Sequence, residues 1–120
     1  MKLLVSLFTL LSTYCYSQNS TASDEVKQKQ EAIVKETIQK CYSKYNYRNE
    51  MAQWQACLDE GLAKDSKIAY LWQQKAMPYF KAKKYEIGMP LLDKAVYYDS
   101  QRWLAYRGFI KCIFVNFIRD

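Results

Sequence analysis

From Asp24 onward the apolar positions of this chain recur at spacings of three, four and seven, the period of helices with one buried face. Val26, Ile33, Val34, Ile38, Cys41, Tyr42 and Tyr45 form the first series. Ser23 caps it, and Asp24 and Glu25 match the positive end of the helix dipole. Residues 46–49 break the pattern. A second helix then runs to about residue 62, with Met51, Trp54, Leu58 and Leu62 inward. Asp65-Ser66 is the next cap signal and opens a third helix over about 67–82. Lys83-Lys84 marks a tight turn before a fourth helix over 85–98. Asp99-Ser100 repeats the cap pair ahead of a fifth helix over about 102–117. No stretch of useful length alternates at period two. The pattern predicts an all-α chain whose short connections make neighbouring helices antiparallel.

The two Asp-Ser pairs are 34 residues apart, and other positions keep that step: Ile38, Trp72 and Tyr106; Tyr45, Tyr79 and Ile113; Leu58 and Leu92; Gly61 and Ala95. Two helices per 34 residues is a repeat signature. Trp72, Ala76, Tyr79, Tyr85, Gly88, Leu92 and Ala95 together resemble one tetratricopeptide repeat, which has Trp, a small residue and Tyr on its first helix and small, bulky and small residues on its second. The likeness is close over 69–100 and looser over 35–66. Only the first helix of a third repeat, 103–117, is present. The resemblance implies a solenoid of antiparallel helix hairpins, about two and a half repeats long. Some positions depart from the pattern. Lys75 stands where it has Leu and Ser100 where it has Pro, and Pro78 and Pro90 fall inside helices, where each costs about 3 kcal/mol. A distorted repeat is expected. The chain stops where the partner helix of the third repeat would begin, so the repeat domain, 24–120, reads as incomplete at its C-terminus, a fragment of a longer protein. Ile110, Ile113, Phe114, Phe117 and Ile118 are then expected to lack cover, which invites self-association through the last helix.

The N-terminus follows another logic. Lys2 precedes Leu3 to Tyr14, an uncharged and mostly apolar run, as in a secretory signal. It is shorter than the roughly 20 residues that cross a bilayer. Small Cys15 and Ser17 suit cleavage after Ser17, giving a signal peptide over 1–17 and a polar linker over 18–23. The other reading makes Cys15 the acylated cysteine of a lipoprotein, against which bulky Tyr14 argues. Either way the expected location is the periplasm, the cell envelope or the medium, with membrane attachment only in the lipidated case.

Composition narrows the chemistry. The chain has 120 residues, a net charge of +6, three Gly and no His. Without His there is no imidazole base, His-based triad or His metal site, and so few Gly leave no phosphate loop. Asp59 and Glu60, adjacent on a helix, point in different directions. Nothing indicates an enzyme, a cofactor or a metal. Cys41 and Cys57 lie about equally far from the turn at Asn49, at similar height on a helical hairpin, and read either as a disulfide or as two buried thiols. Cys112 is left over, with no group to activate it.

Two surfaces offer themselves for binding. The resemblance implies a concave face lined by the first helix of each repeat and used to hold a protein or peptide. On the third helix Tyr70, Gln73, Met77 and Lys81 lie away from Trp72, Ala76 and Tyr79, and Arg107 and Lys111 are the 34-residue equivalents of Gln73 and Met77. This mix of aromatic, amide and cationic groups suits an extended acidic segment. The alternative is the turn with Lys81, Lys83 and Lys84 beside Tyr79, Phe80 and Tyr85, which would bind an anionic glycan or a membrane surface. Nucleic acid is not expected as a partner of an exported protein.

Overall fold

The computed structural model describes the backbone of residues 2–119 and the side-chain surroundings of residues 23–116 and of Ile118. It is all-α, with no strand among the described residues. The helices are α1 (Lys2–Lys44), α2 (Met51–Lys64), α3 (Ala69–Lys81), α4 (Tyr85–Tyr98) and α5 (Ser100–Arg119). The boundaries of α2 to α5 fall within about two residues of those read from the apolar period.

Helix α1 differs. It begins at Lys2 and runs through residues 18–23, where a linker is expected. That segment holds neither Gly nor Pro, so nothing in it breaks a helix. The expected cleavage site at Cys15 to Ser17 lies outside the described side chains. The chain divides into two compact units, Met1–Ala32 and Ile33–Asp120. The packed unit thus starts later than Asp24, and Val26, inward by its spacing, is 56% exposed. In the first unit the side chains from Ser23 to Ala32 are mostly solvated.

The second unit has two apolar clusters. One joins Cys41 of α1, Trp54, Cys57, Leu58 and Leu62 of α2, Ile68, and Leu71 of α3. The other joins Ala76 and Phe80 of α3, Tyr85, Leu92 and Ala95 of α4, and Trp103 and Ile110 of α5. Tyr70 and Trp72 of α3 touch both. Helix α3 therefore has two buried sides, while each neighbour packs on the helix before or after it. Cys41 and Cys57 form a disulfide that ties α1 to α2, with Cα atoms 5.8 Å apart. Closing a loop with a sequence separation of 16 contributes about 3 kcal/mol.

Glycine sets two of the helix approaches. A Cβ on Gly61 would lie 2.5 Å from Thr37 Oγ1 and 2.9 Å from Leu71 Cδ1, so α1, α2 and α3 meet there. One on Gly88 would lie 2.5 Å from the ring of Phe80. Between α3 and α4 the Lys83 and Lys84 amides donate to the carbonyls of Phe80 and Tyr79, at 3.0 and 2.8 Å, and Lys83 takes a φ of 59°. This is a Schellman ending with lysine in the position glycine favours, at a cost of about 1 kcal/mol. The Asp-Ser pairs differ in use. Asp65 Oδ1 accepts from the Lys67 amide at 2.9 Å and turns the chain between α2 and α3, and Asp99 Oδ1 accepts from the Arg102 amide at 3.3 Å and caps α5.

Helix α5 corrects one expectation. Ile110 is buried, and Ile113 and Phe114 pack against the second cluster, because α5 turns its bulkiest side onto α3 and α4. Ile118 is open at 65% exposure, and Phe117 lies outside the described side chains.

Thermal melts separate the glycines. Gly88→Ala and Gly61→Ala are expected to lose about 1–3 kcal/mol by overpacking. Gly108, with nothing within 4 Å of an added Cβ, is expected to gain about 0.5–1 kcal/mol as alanine. Equal effects at all three would refute the close approaches.

Candidate partner-binding surface

The two buried sides of α3 leave a strip between them. Leu71, Gln74 and Pro78 face one way, and Ala69, Ala76 and Phe80 face the other, all buried. Tyr70, Met77 and Lys81 run along the gap, seven and four residues apart, with the first two half-buried and Lys81 exposed. Gln73 sits at the edge of the gap and is buried, its Oε1 accepting from Gln74 Nε2 at 2.9 Å. It is therefore a packing residue more than a contact residue.

The strip is bordered on one side by α1 and the connection after it. The Tyr42 hydroxyl donates to Gln74 Oε1 at 3.4 Å. Lys81 Nζ donates to the Tyr47 hydroxyl at 2.9 Å and lies 4.9 Å from the centre of its ring. Arg48 lies 5.6 Å from the same ring. Hydrogen bonding from Lys81, then from Arg48, holds the Tyr47 hydroxyl below the usual tyrosine range. Burial pushes Tyr42 the other way. Both tyrosines pack on the fully buried Trp54, at ring distances of 4.9 and 5.9 Å. Tyr42, Tyr47 and the residues between them, with Glu50, line an open pocket of about 420 Å³.

On the other side Tyr70 meets α5. Its ring centre is 6.3 Å from that of Trp103, and the Arg102 guanidinium sits 5.4 Å above it. Arg107 Nε donates to Asp93 Oδ1 of α4 at 2.6 Å, so its charge already has a partner within the chain. Lys111 is exposed. The six residues singled out from the sequence thus divide. Tyr70, Met77 and Lys81 share one strip, Gln73 is inside, and Arg107 and Lys111 stand on α5. None of the six lines the pocket.

Two residues beside the strip were not expected there: Tyr42, inward by its spacing, is 52% exposed because it turns toward α3, and Tyr47 lies in the connection after α1. The signal for Tyr47 was there: it stands one 34-residue step before Lys81. Elsewhere the charges serve as staples. Lys40 bonds Glu60 and Lys64 bonds Glu36, tying α1 to α2, and Lys75 bonds Asp59 between α2 and α3. The Lys40 bond raises that lysine's pKa and lowers that of Glu60, but both groups are open to solvent and so contribute little. Among the described residues no group of three or more acidic or cysteine side chains is gathered for a metal.

The chain matches no protein-family model, no curated protein and no solved structure.

Lys81→Met is expected to move the ionisation of Tyr47 up toward the ordinary tyrosine value, read by NMR of its ring carbon. An unmoved titration would mean that Lys81 does not hold the hydroxyl in solution.

Proposed function

We propose that this chain is an exported helical-repeat scaffold of tetratricopeptide type that holds an extended acidic segment of a protein partner and catalyses nothing. One observation carries the reading. Side chains about one repeat step apart meet across the helices: Lys81 on Tyr47, 34 residues apart, Tyr42 on Gln74, and Tyr70 on Trp103. Such a ladder is what stacked two-helix units produce when equivalent positions face a common groove. It runs beside Tyr70, Met77 and Lys81, which offer ring, thioether and ammonium to a ligand lying across α3. Lys81 and Arg48 at Tyr47 and Arg102 over Tyr70 give the neighbourhood a positive sign, which favours carboxylates. The disulfide between Cys41 and Cys57 supports an oxidising compartment.

Two experiments test this. On an array of extended peptides, acidic sequences are expected to bind, and Lys81→Glu combined with Arg102→Glu to lose about tenfold or more in affinity, an exchange of sign at two places along the strip. Unchanged binding by the double variant would overturn the groove. Intact mass of the exported protein is expected to begin at Gln18; a mass beginning at Met1 would remove the export reading and leave the scaffold one standing.

A further inference from the structure

Two cations meet at Tyr47 with no carboxylate between them. Lys81, from the last turn of α3, places its Nζ 2.9 Å from the Tyr47 hydroxyl and 4.9 Å from the ring centre. Arg48, from the connection after α1, holds its guanidinium 5.6 Å from the same centre. Lys40, Lys64, Lys75 and Arg107 are each neutralised by a carboxylate, but among the described residues neither Lys81 nor Arg48 forms an ion pair. Glu50, the acid nearest to Arg48 along the chain, accepts from the Asn46 amide at 3.3 Å instead. The phenol itself is fixed, because its ring packs on the fully buried Trp54.

The hydrogen bonds leave donors to spare. Lys81 and Arg48 donate to the Tyr47 oxygen, so the phenol hydrogen is free to donate outward. The same two bonds hold the hydroxyl below the usual tyrosine range, which makes it a stronger donor. Lys81 keeps two further ammonium hydrogens, and the guanidinium keeps its fork. Three kinds of donor and two uncompensated charges thus surround one point. A carboxylate brings one charge and two oxygens. A phosphate monoester brings close to two charges near neutral pH and three terminal oxygens, and so meets the whole set. Tyr47 lines the open pocket of about 420 Å³ together with Glu50, whereas Lys81 and Arg48 do not. The anion therefore belongs at the rim, on the side of the two cations.

We propose that Tyr47, Lys81 and Arg48 form a subsite for a phosphomonoester group, with Lys81 and Arg48 balancing its charge and the Tyr47 hydroxyl donating to one of its oxygens. Lys81 also ends the strip of Tyr70, Met77 and Lys81 on α3, so a segment lying there reaches the subsite. The inference rests on the partner reading for the carrier, a phosphorylated residue of the bound segment, but not for the subsite, which free phosphate fills as well.

The full chain is titrated with inorganic phosphate and, separately, with acetate, at constant ionic strength and slightly alkaline pH, where phosphate is a dianion. NMR follows the ring of Tyr47 and the Nζ of Lys81. Phosphate is expected to shift both signals at concentrations about tenfold or more below those needed with acetate, because it meets two charges rather than one. Lys81→Gln and Arg48→Gln should each weaken phosphate about tenfold, and Tyr47→Phe, which keeps the ring on Trp54, about threefold. Lys84→Gln, in the neighbouring basic turn, should change nothing. Any of three results would overturn the subsite: no shift at Tyr47, equal effects of phosphate and acetate, or binding kept when Lys81→Gln and Arg48→Gln are combined. A second arm finds the carrier. A phosphoserine peptide that binds about tenfold tighter than its glutamate counterpart, and loses that advantage in Arg48→Gln, puts the phosphate on the partner. Phosphate binding without any peptide preference upholds the subsite for free phosphate and counts against the partner reading alone.

Discussion

Helix α3 is buried on two opposite sides, and the packing of the second unit depends on that arrangement. Leu71 closes the cluster built on the Cys41–Cys57 hairpin, while Ala76 and Phe80 close the cluster shared with α4 and α5. A helix with a single apolar stripe can serve one core. Here the thirteen residues of α3 divide into two packed sides, and buried glutamines fill the margins. Gln73 and Gln74 can be buried because they bond each other and, through Gln74, Tyr42. What remains open between the two sides is a narrow strip, and Tyr70, Met77 and Lys81 occupy it.

The same constraint explains where small residues stand. Two neighbours can crowd one helix only if the backbones come close, and Gly61 and Gly88 permit this on either side of α3. Phe80 lies over Gly88 and stacks near Tyr85, so the α3–α4 turn is held by a ring against a bare backbone. Lysine at 83 accepts a left-handed conformation to complete that turn. The disulfide supplies on the α1–α2 side what the larger apolar cluster supplies on the α4–α5 side.

Much of this was legible in the sequence, for identifiable reasons. The periods from Met51 to Phe114 reported real helices, because long amphipathic segments broken by Asp-Ser and Lys-Lys leave few alternatives. Tyr70, Met77 and Lys81 were found because residues seven and four apart must share a face. Three features were not legible. The start of α1 was hidden because residues 18–23 are polar without being helix-breaking. The burial of Gln73 depends on two neighbours meeting over one edge of α3, which no single-helix period contains. The pairing of Arg107 with Asp93 joins α5 to α4, so a residue that reads as a free cation is partly committed. For Cys41 and Cys57, symmetry about the turn indicated equal height on a hairpin but could not supply the 5.8 Å Cα distance.

Native-state hydrogen exchange of the oxidised chain, resolved by residue, tests the role of α3 most directly. A helix shared by two clusters can open only when both are lost. The slowest amides should therefore lie in α3, around Leu71 to Ala76, and should exchange only through global unfolding. If α3 exchanged as fast as α5, or if its two ends opened with different free energies while α2 or α4 stayed protected, α3 would not be the common support of the fold.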